Sequence, residues 1–249
     1  MLAHRKNYYS QFGEDGIIEH LCKKLDISDG GTCCEFGAWD GKHVSNTFHL
    51  IKNRGFKGLY IEADSEKFKD LLETCKECPN IVAVNERVDN NLDDIFERHG
   101  FPFDIDVLSI DIDSTDYDAW KTTVRVNPKI VVIEPDGTTP SWIKKPLYPV
   151  HEHGGANYFI MEQLGTEKGY TLVCNTSNMI FVRNDLVTPE LEIDRRLFPW
   201  HLDPQLKQFI FMATQHPHII PEHDREEYER YCGGVRLGYL DGSMRSVPP

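Results

Sequence analysis

Residues 105–120 read IDVLSIDIDSTDYDAW. Val107, Leu108, Ile110 and Ile112 have the look of a buried strand, yet Asp111, Asp113, Asp116 and Asp118 crowd its end. Clustered carboxylates repel one another unless a cation or hydrogen-bond donors sit among them. A second acidic pair, Glu134 and Asp136, closes the apolar run KIVVIE at 129–134. Asp111 and Asp113 are two residues apart, so they face one side wherever the strand persists. If the two runs are neighbouring strands, their ends lie ~5 Å apart. Hard oxygen ligands gathered in this way suit Mg²⁺ or Mn²⁺, which makes Asp111, Asp113 and Glu134 the candidate metal ligands. The same residues admit a structural reading, in which Asp113 or Asp116 caps the next helix and Glu134 bonds to loop amides. His151 and His153, in PVHEHGGAN, follow the second run. A His-x-His pair on a loop can bind metal, act as a base, or stay solvated. Asp111, Asp113, His151 and His153 are the candidate catalytic groups.

These residues need elements to position them. Ile17, Ile18, Leu21, Cys22 and Leu25 mark one face of an opening helix,. TCCEFG (32–37), GLYIEA (58–63), NIVAVN (80–85), DVLSID (106–111) and KIVVIE (129–134) read as five strands. Helices are expected between them at VSNTFHLIKN (44–53), SEKFKDLLETCK (65–76, with Ser65 as N-cap), LDDIFERH (92–99) and through Trp120,. Alternation of this kind predicts a parallel sheet with helices on both faces. After a further helix at NYFIMEQLG (157–165), YTLVCNT (170–176) and NMIFVRN (178–184) are separated by almost nothing, the mark of a hairpin,. The sheet is therefore expected to end on an antiparallel strand, as in one kind of Rossmann-like domain. Residues 187–249, rich in Pro, His and charge, read as a C-terminal extension packing on a domain formed by 1–186.

The turn after the first strand, EFGAWDG (35–41), carries Gly37 and Gly41. In open α/β sheets, ligands bind beyond the carboxyl ends of the strands, and glycine there allows close backbone approach. The dinucleotide fingerprint GxGxxG is missing, and Glu35 and Asp40 would be poor neighbours for phosphates,. Glu62 lies 21 residues past Gly41, about the spacing at which an acidic side chain reaches ribose hydroxyls. A ligand with a ribose, positive charge and no phosphate describes S-adenosylmethionine.

With these residues in view, the chain resembles the FkbM-type family of S-adenosylmethionine-dependent methyltransferases. The resemblance rests on YSQFGEDGII (9–18), CEFGAWDGKHVSNT (34–47), GLYIEAD (58–64), DVLSIDIDSTDYDAW (106–120), KIVVIEPD (129–136) and EKGYTLVCNTSNMIFVRNDL (167–186). It implies a Rossmann-like class I methyltransferase fold, with a mostly parallel seven-stranded sheet ending in an antiparallel hairpin. It also implies O-methylation of a hydroxyl on a sugar, glycan precursor or similar polar metabolite. On this resemblance Glu35, Gly37 and Gly41 shape the methionine side of the cofactor pocket, and Gln11 closes over it. Glu62 binds the ribose, Asn85 and Arg87 meet the adenine, and Asp111 borders the cofactor. A related group of sugar methyltransferases, the macrocin type, uses a metal held by acids at these strand ends. Many family members carry Gly where this chain has Ser114, and no family pattern is recognisable beyond 186.

Composition narrows the partners. A net charge of −13 disfavours a nucleic-acid duplex or an anionic bilayer, both of which call for surplus Lys and Arg,. No apolar run of about 18 residues and no leader pattern appear, so a soluble, cytoplasmic protein is expected. The seven cysteines, several in core-like segments, suit free thiols in a reducing cytosol,. The Cys75–Cys78 pair has no partner pair at zinc spacing,. Two other functions remain open, a nicotinamide-dinucleotide oxidoreductase and a non-catalytic Rossmann-like scaffold. The sequence leaves the acceptor and the oligomeric state open, a homo-oligomer included.

Overall fold

The computed structural model describes residues 1–113, 115–136 and 155–194. The expectations for His151 and His153, and for the tail from 195 onward, lie outside the described residues. Seven strands form one sheet: β1 (Thr32–Phe36), β2 (Lys57–Glu62), β3 (Ile81–Asn85), β4 (Val107–Ile110), β5 (Ile130–Ile133), β6 (Tyr170–Asn175) and β7 (Met179–Arg183). Their order is β3-β2-β1-β4-β5-β7-β6. The first five run parallel, and β7 is antiparallel to both β5 and β6.

Side chains alternate between two apolar layers, as a sheet covered on both faces requires. In β5, Ile130 and Val132 join one core while Val131 and Ile133 join the other. The first core is closed by α1 (Glu14–Lys24), α2 (Phe48–Arg54) and α3 (Ser65–Glu77). The second is closed by α4 (Leu92–Arg98), α5 (Asp116–Thr122) and α6 (Tyr158–Glu167). Trp120 of α5 is 1 % exposed and lies between Tyr170, at 5.8 Å, and Phe181, at 5.1 Å between ring centres. The described cysteines are free thiols. Among the described residues, no helix is long and apolar enough to cross a membrane.

Three local expectations are corrected. The helix expected from residue 44 begins at Phe48, because Ser45, Asn46 and Thr47 turn their donors onto the buried Glu35 carboxylate. The N-cap of α3 is Asp64 rather than Ser65, since its carboxylate accepts from the amides of Glu66 and Lys67. Asp116 begins α5 but does not cap it from outside; its side chain reaches back to accept from the Ile112 amide at 2.9 Å. Of the expected extension, residues 187–194 lie against the domain, with the Asp194 amide donating to Val173 and Leu191 buried in the first core.

Trp120 fills space between the last helix pair and the hairpin, so Trp120→Ala is expected to cost ~3–5 kcal/mol of stability. A urea-unfolding midpoint within error of the parent's would contradict this packing.

Candidate functional site

The parallel register aligns the strand ends in a single row. Glu62 pairs with Asn85, Phe36 with Ile61 and Ile110, Ile110 with Ile133, and Ile133 with Met179. The next positions outward are Gly37, Asp111, Glu134 and Asn178, and Asn85 and Glu62 continue the line on the other side. Two cavities open along this row and share Asp111 as a common wall.

The first cavity, of about 160 Å³, lies over β1, β2 and the end of β4. Phe36, Gly37, Glu62, Arg87, Ile112 and Thr115 are among the residues lining it. Gly37 has φ +77°, and a Cβ there would sit 1.7 Å from the Asp111 carbonyl oxygen. No other residue type fits without moving the end of β4. The Glu62 carboxylate is held in place by the amides of Trp39 (2.7 Å) and Asp64 (2.8 Å), one on each oxygen. Each oxygen keeps a lone pair, so an anchored carboxylate borders the cleft ready to accept hydroxyl donors. The Thr115 hydroxyl has no partner among the described residues. These groups fit the adenosine portion of S-adenosylmethionine.

The second cavity, of about 220 Å³, lies between the row and the N-terminal segment. Gln11, Glu14, Asn46, Asp111, Glu134 and Asn178 line it, with Phe12, Val44 and Ser177. Glu14 is fully buried and accepts from the Phe12 amide and from the hydroxyls of Thr176 and Ser177. It thereby ties the start of α1 to the β6–β7 turn. Asp15 holds the preceding loop by accepting from the amides of Tyr8, Tyr9 and Ser10.

Asp111, Asp113 and Glu134 each offer an oxygen within 4.8 Å of the others. The expected reason holds only for part of this cluster. β4 ends at Ile110, so strand alternation does not carry Asp113 to the site; a left-handed backbone turn at Asp113, φ +61°, lies on its route there. Asp111 and Glu134 are half-buried. Burial raises Asp111 well above the usual carboxylate range, and Glu134, Asp116 and Asp113 add to it. Burial, then Asp116 and Asp113, push Glu134 up to about 8, against a hydrogen bond with Asp111 that pulls it down. Three carboxylates at this spacing fit a hard divalent ion.

Several expected site residues lie elsewhere. Glu35 lines neither cavity, because it sits inside β1 and points into the first core, where the 45–47 segment consumes its oxygens. Asp40 is spent on the amides of Lys42 and His43. Gly41, with φ +76°, packs beside Leu71 and Tyr60. Asn85 donates to the carbonyls of Glu62 and Ala63, steadying the loop after β2 without lining the cleft. Gln11 and Arg87 do line cavities, Gln11 the second and Arg87 the first. Sequence reasoning missed Glu14, Asn46 and Asn178. Glu14 and Asn46 lay within stretches already singled out, but their bonds to residues far along the chain leave no local signal.

Comparisons with known proteins bear on the fold. No protein-family model and no curated protein sequence matches the chain. Among solved structures, TrmK from M. capricolum bound to S-adenosyl-homocysteine is similar over 89 % of this chain and 96 % of its own, with TM-score 0.50 and 13 % identity. A sarcosine dimethylglycine methyltransferase structure from Galdieria sulphuraria is similar over 92 % of this chain and 80 % of its own, with TM-score 0.47 and 12 % identity. The chain has the Rossmann-like class I methyltransferase fold, a mostly parallel seven-stranded sheet ending in an antiparallel hairpin.

The raised Glu134 value yields a signed prediction. Its folded value of about 8 exceeds the ordinary 4.5, so ionising it opposes folding. That cost is absent below the ordinary value and complete above the folded one. Glu134→Gln, measured in EDTA, is expected to raise Tm by at least ~2 °C at pH 8.5 relative to the parent, equivalent to ~1 kcal/mol. At pH 4, below the ordinary value, the two proteins should melt together. A gain that does not grow with pH would contradict the assignment.

Proposed function

We propose that this protein is an S-adenosylmethionine-dependent O-methyltransferase acting on a hydroxyl of a sugar, glycan precursor or similar polar metabolite. The observation that carries this reading is the meeting of two cavities at Asp111, one fitted to an adenosine and one walled by carboxylates. Bound S-adenosylmethionine would supply an electrophilic methyl carbon, and a divalent cation would acidify and orient the acceptor hydroxyl.

The chain's own residues supply the rest. Glu62 accepts from the ribose hydroxyls, and Gly37 lets the backbone approach the cofactor. Gln11 covers the second cavity from the N-terminal loop. Asp111, Asp113 and Glu134 either hold the cation or, without it, offer a carboxylate to receive the proton the acceptor must lose. In the transfer itself the acceptor oxygen bonds to the methyl carbon, the carbon–sulfur bond breaks, and S-adenosylhomocysteine leaves. The resemblance to FkbM-type enzymes and the S-adenosyl-homocysteine held by TrmK support the cofactor. A nicotinamide dinucleotide fits less well, because the turn after β1 lacks the GxGxxG glycines that bring a backbone against a pyrophosphate,.

Two measurements test the reading. Glu62→Ala removes charge-assisted bonds worth ~1.5–3 kcal/mol, so calorimetry should find S-adenosylhomocysteine bound at least ~10-fold more weakly, with the fold intact. Unchanged affinity would remove the ribose assignment. Methyl transfer should fall in EDTA and return with Mg²⁺ or Mn²⁺; full activity in EDTA would leave the carboxylates, or His151 and His153, as bases.

A further inference from the structure

The turn between β6 and β7 contributes one side chain whose amide oxygen the described fold leaves unused. Asn178 is 5 % exposed and lines the second cavity, yet its Oδ1 has no hydrogen-bond partner among the described residues. Its backbone is settled, with the amide donating to the Thr176 hydroxyl and the carbonyl accepting from the Thr176 amide. A buried amide oxygen without a partner costs ~1–3 kcal/mol, and a functional site is the usual reason for keeping one.

Register says what stands opposite. Ile133 pairs with Met179 in the antiparallel β5–β7 ladder, so Asn178 faces Glu134 across the strand ends. Ile130 and Val132 of β5 and Ile180 and Val182 of β7 share the α1–α3 core. By strand parity, Glu134 and Asn178 project from the sheet on that same side. The cavity walls between them are rich in acceptors. Glu14, Asp111 and Glu134 are carboxylates, Asn46 Nδ2 is committed to the Ser109 hydroxyl, and among the described residues no Lys, Arg or His lines the space.

We propose that Asn178 Oδ1 is a neutral oxygen ligand completing a divalent-cation site with Asp111, Asp113 and Glu134. This rests on the cation in the proposed function and extends it to a residue of the hairpin. The carboxylate oxygens lie within 4.8 Å of one another, a spacing that an ion with bonds of ~2.1 Å closes by small side-chain rotations. An amide oxygen is a common partner for carboxylates around such ions, since it adds a dipole without adding to the repulsion. Oxygen ligands from β4, β5 and β7 would then surround the ion on three strands.

The test uses the full chain and Mn²⁺ alone, followed by the loss of the free-ion electron paramagnetic resonance signal. The parent is expected to bind one Mn²⁺. Asn178→Leu, which keeps the backbone bonds of the turn, should bind it at least tenfold more weakly, with Tm in EDTA no lower than the parent's. Asn178→Asp should bind it at least as tightly as the parent. Affinity unchanged in Asn178→Leu overturns the proposal, and if that variant fails to fold, weakened binding in Asn178→Asp does so. A loss of S-adenosylhomocysteine affinity in EDTA with Mn²⁺ binding intact also overturns it, because the oxygen would then serve the cofactor's ammonium. No Mn²⁺ binding by the parent up to millimolar concentration overturns both this site and the cation in the proposed function. The S-adenosylhomocysteine titration of the same sample reports separately on the cofactor.

Discussion

Everything at this site depends on the hydrogen-bonded register of five neighbouring strands. Because β2, β1, β4, β5 and β7 end at matched positions, the residues just beyond them stand side by side in one line. A strand pairing fixes its neighbours at ~4.8 Å, so the line has a set spacing before any side chain is chosen. Carboxylates at Glu62, Asp111 and Glu134 are therefore brought near one another by backbone bonds. Side-chain attraction could not have gathered them, since they repel. The two apolar layers bear that cost, and it shows as pKa values held above the usual carboxylate range at Asp111 and Glu134.

A second buried carboxylate serves the opposite purpose. Glu35 is two residues inside the row, within β1, and points into the helix layer instead of reaching the cleft. There it gathers two hydroxyls and two amides from residues 45–47, and the Thr47 hydroxyl passes on to Tyr60 at 2.8 Å. Burial still holds its pKa up despite these bonds. It fixes the loop that brings Val44 and Asn46 to the second cavity, so it acts on the site through the backbone. Two positions of register separate an acid that organises the chain from one placed to meet a ligand.

This difference explains what was legible in the sequence. Runs such as KIVVIE declare themselves as strands because both faces are buried, and the short gap between YTLVCNT and NMIFVRN declares the hairpin. The acids at 111, 113 and 134 stood out because charge at the end of an apolar run needs a reason. Glu35 read as a ligand contact because spacing alone does not tell whether β1 ends before or after it. Glu14 and Asn178 were hidden for another reason. The bonds of Glu14 to Thr176 and Ser177 span some 160 residues of chain, and an unpartnered amide oxygen at Asn178 leaves no trace in composition. Asp113 comes near Asp111 and Glu134 by a route other than the one expected, since the strand has ended and a left-handed backbone turn lies on its path.

The near contact between Gly37 and the Asp111 carbonyl has a mechanical meaning. That carbonyl belongs to Asp111, the residue that borders both cavities among those described, and the glycine leaves no slack beside it. A ligand that presses on the loop after β1 therefore pushes directly on the wall of the neighbouring chamber. The close packing that closes one compartment is thus the same packing that holds the wall of the other in place.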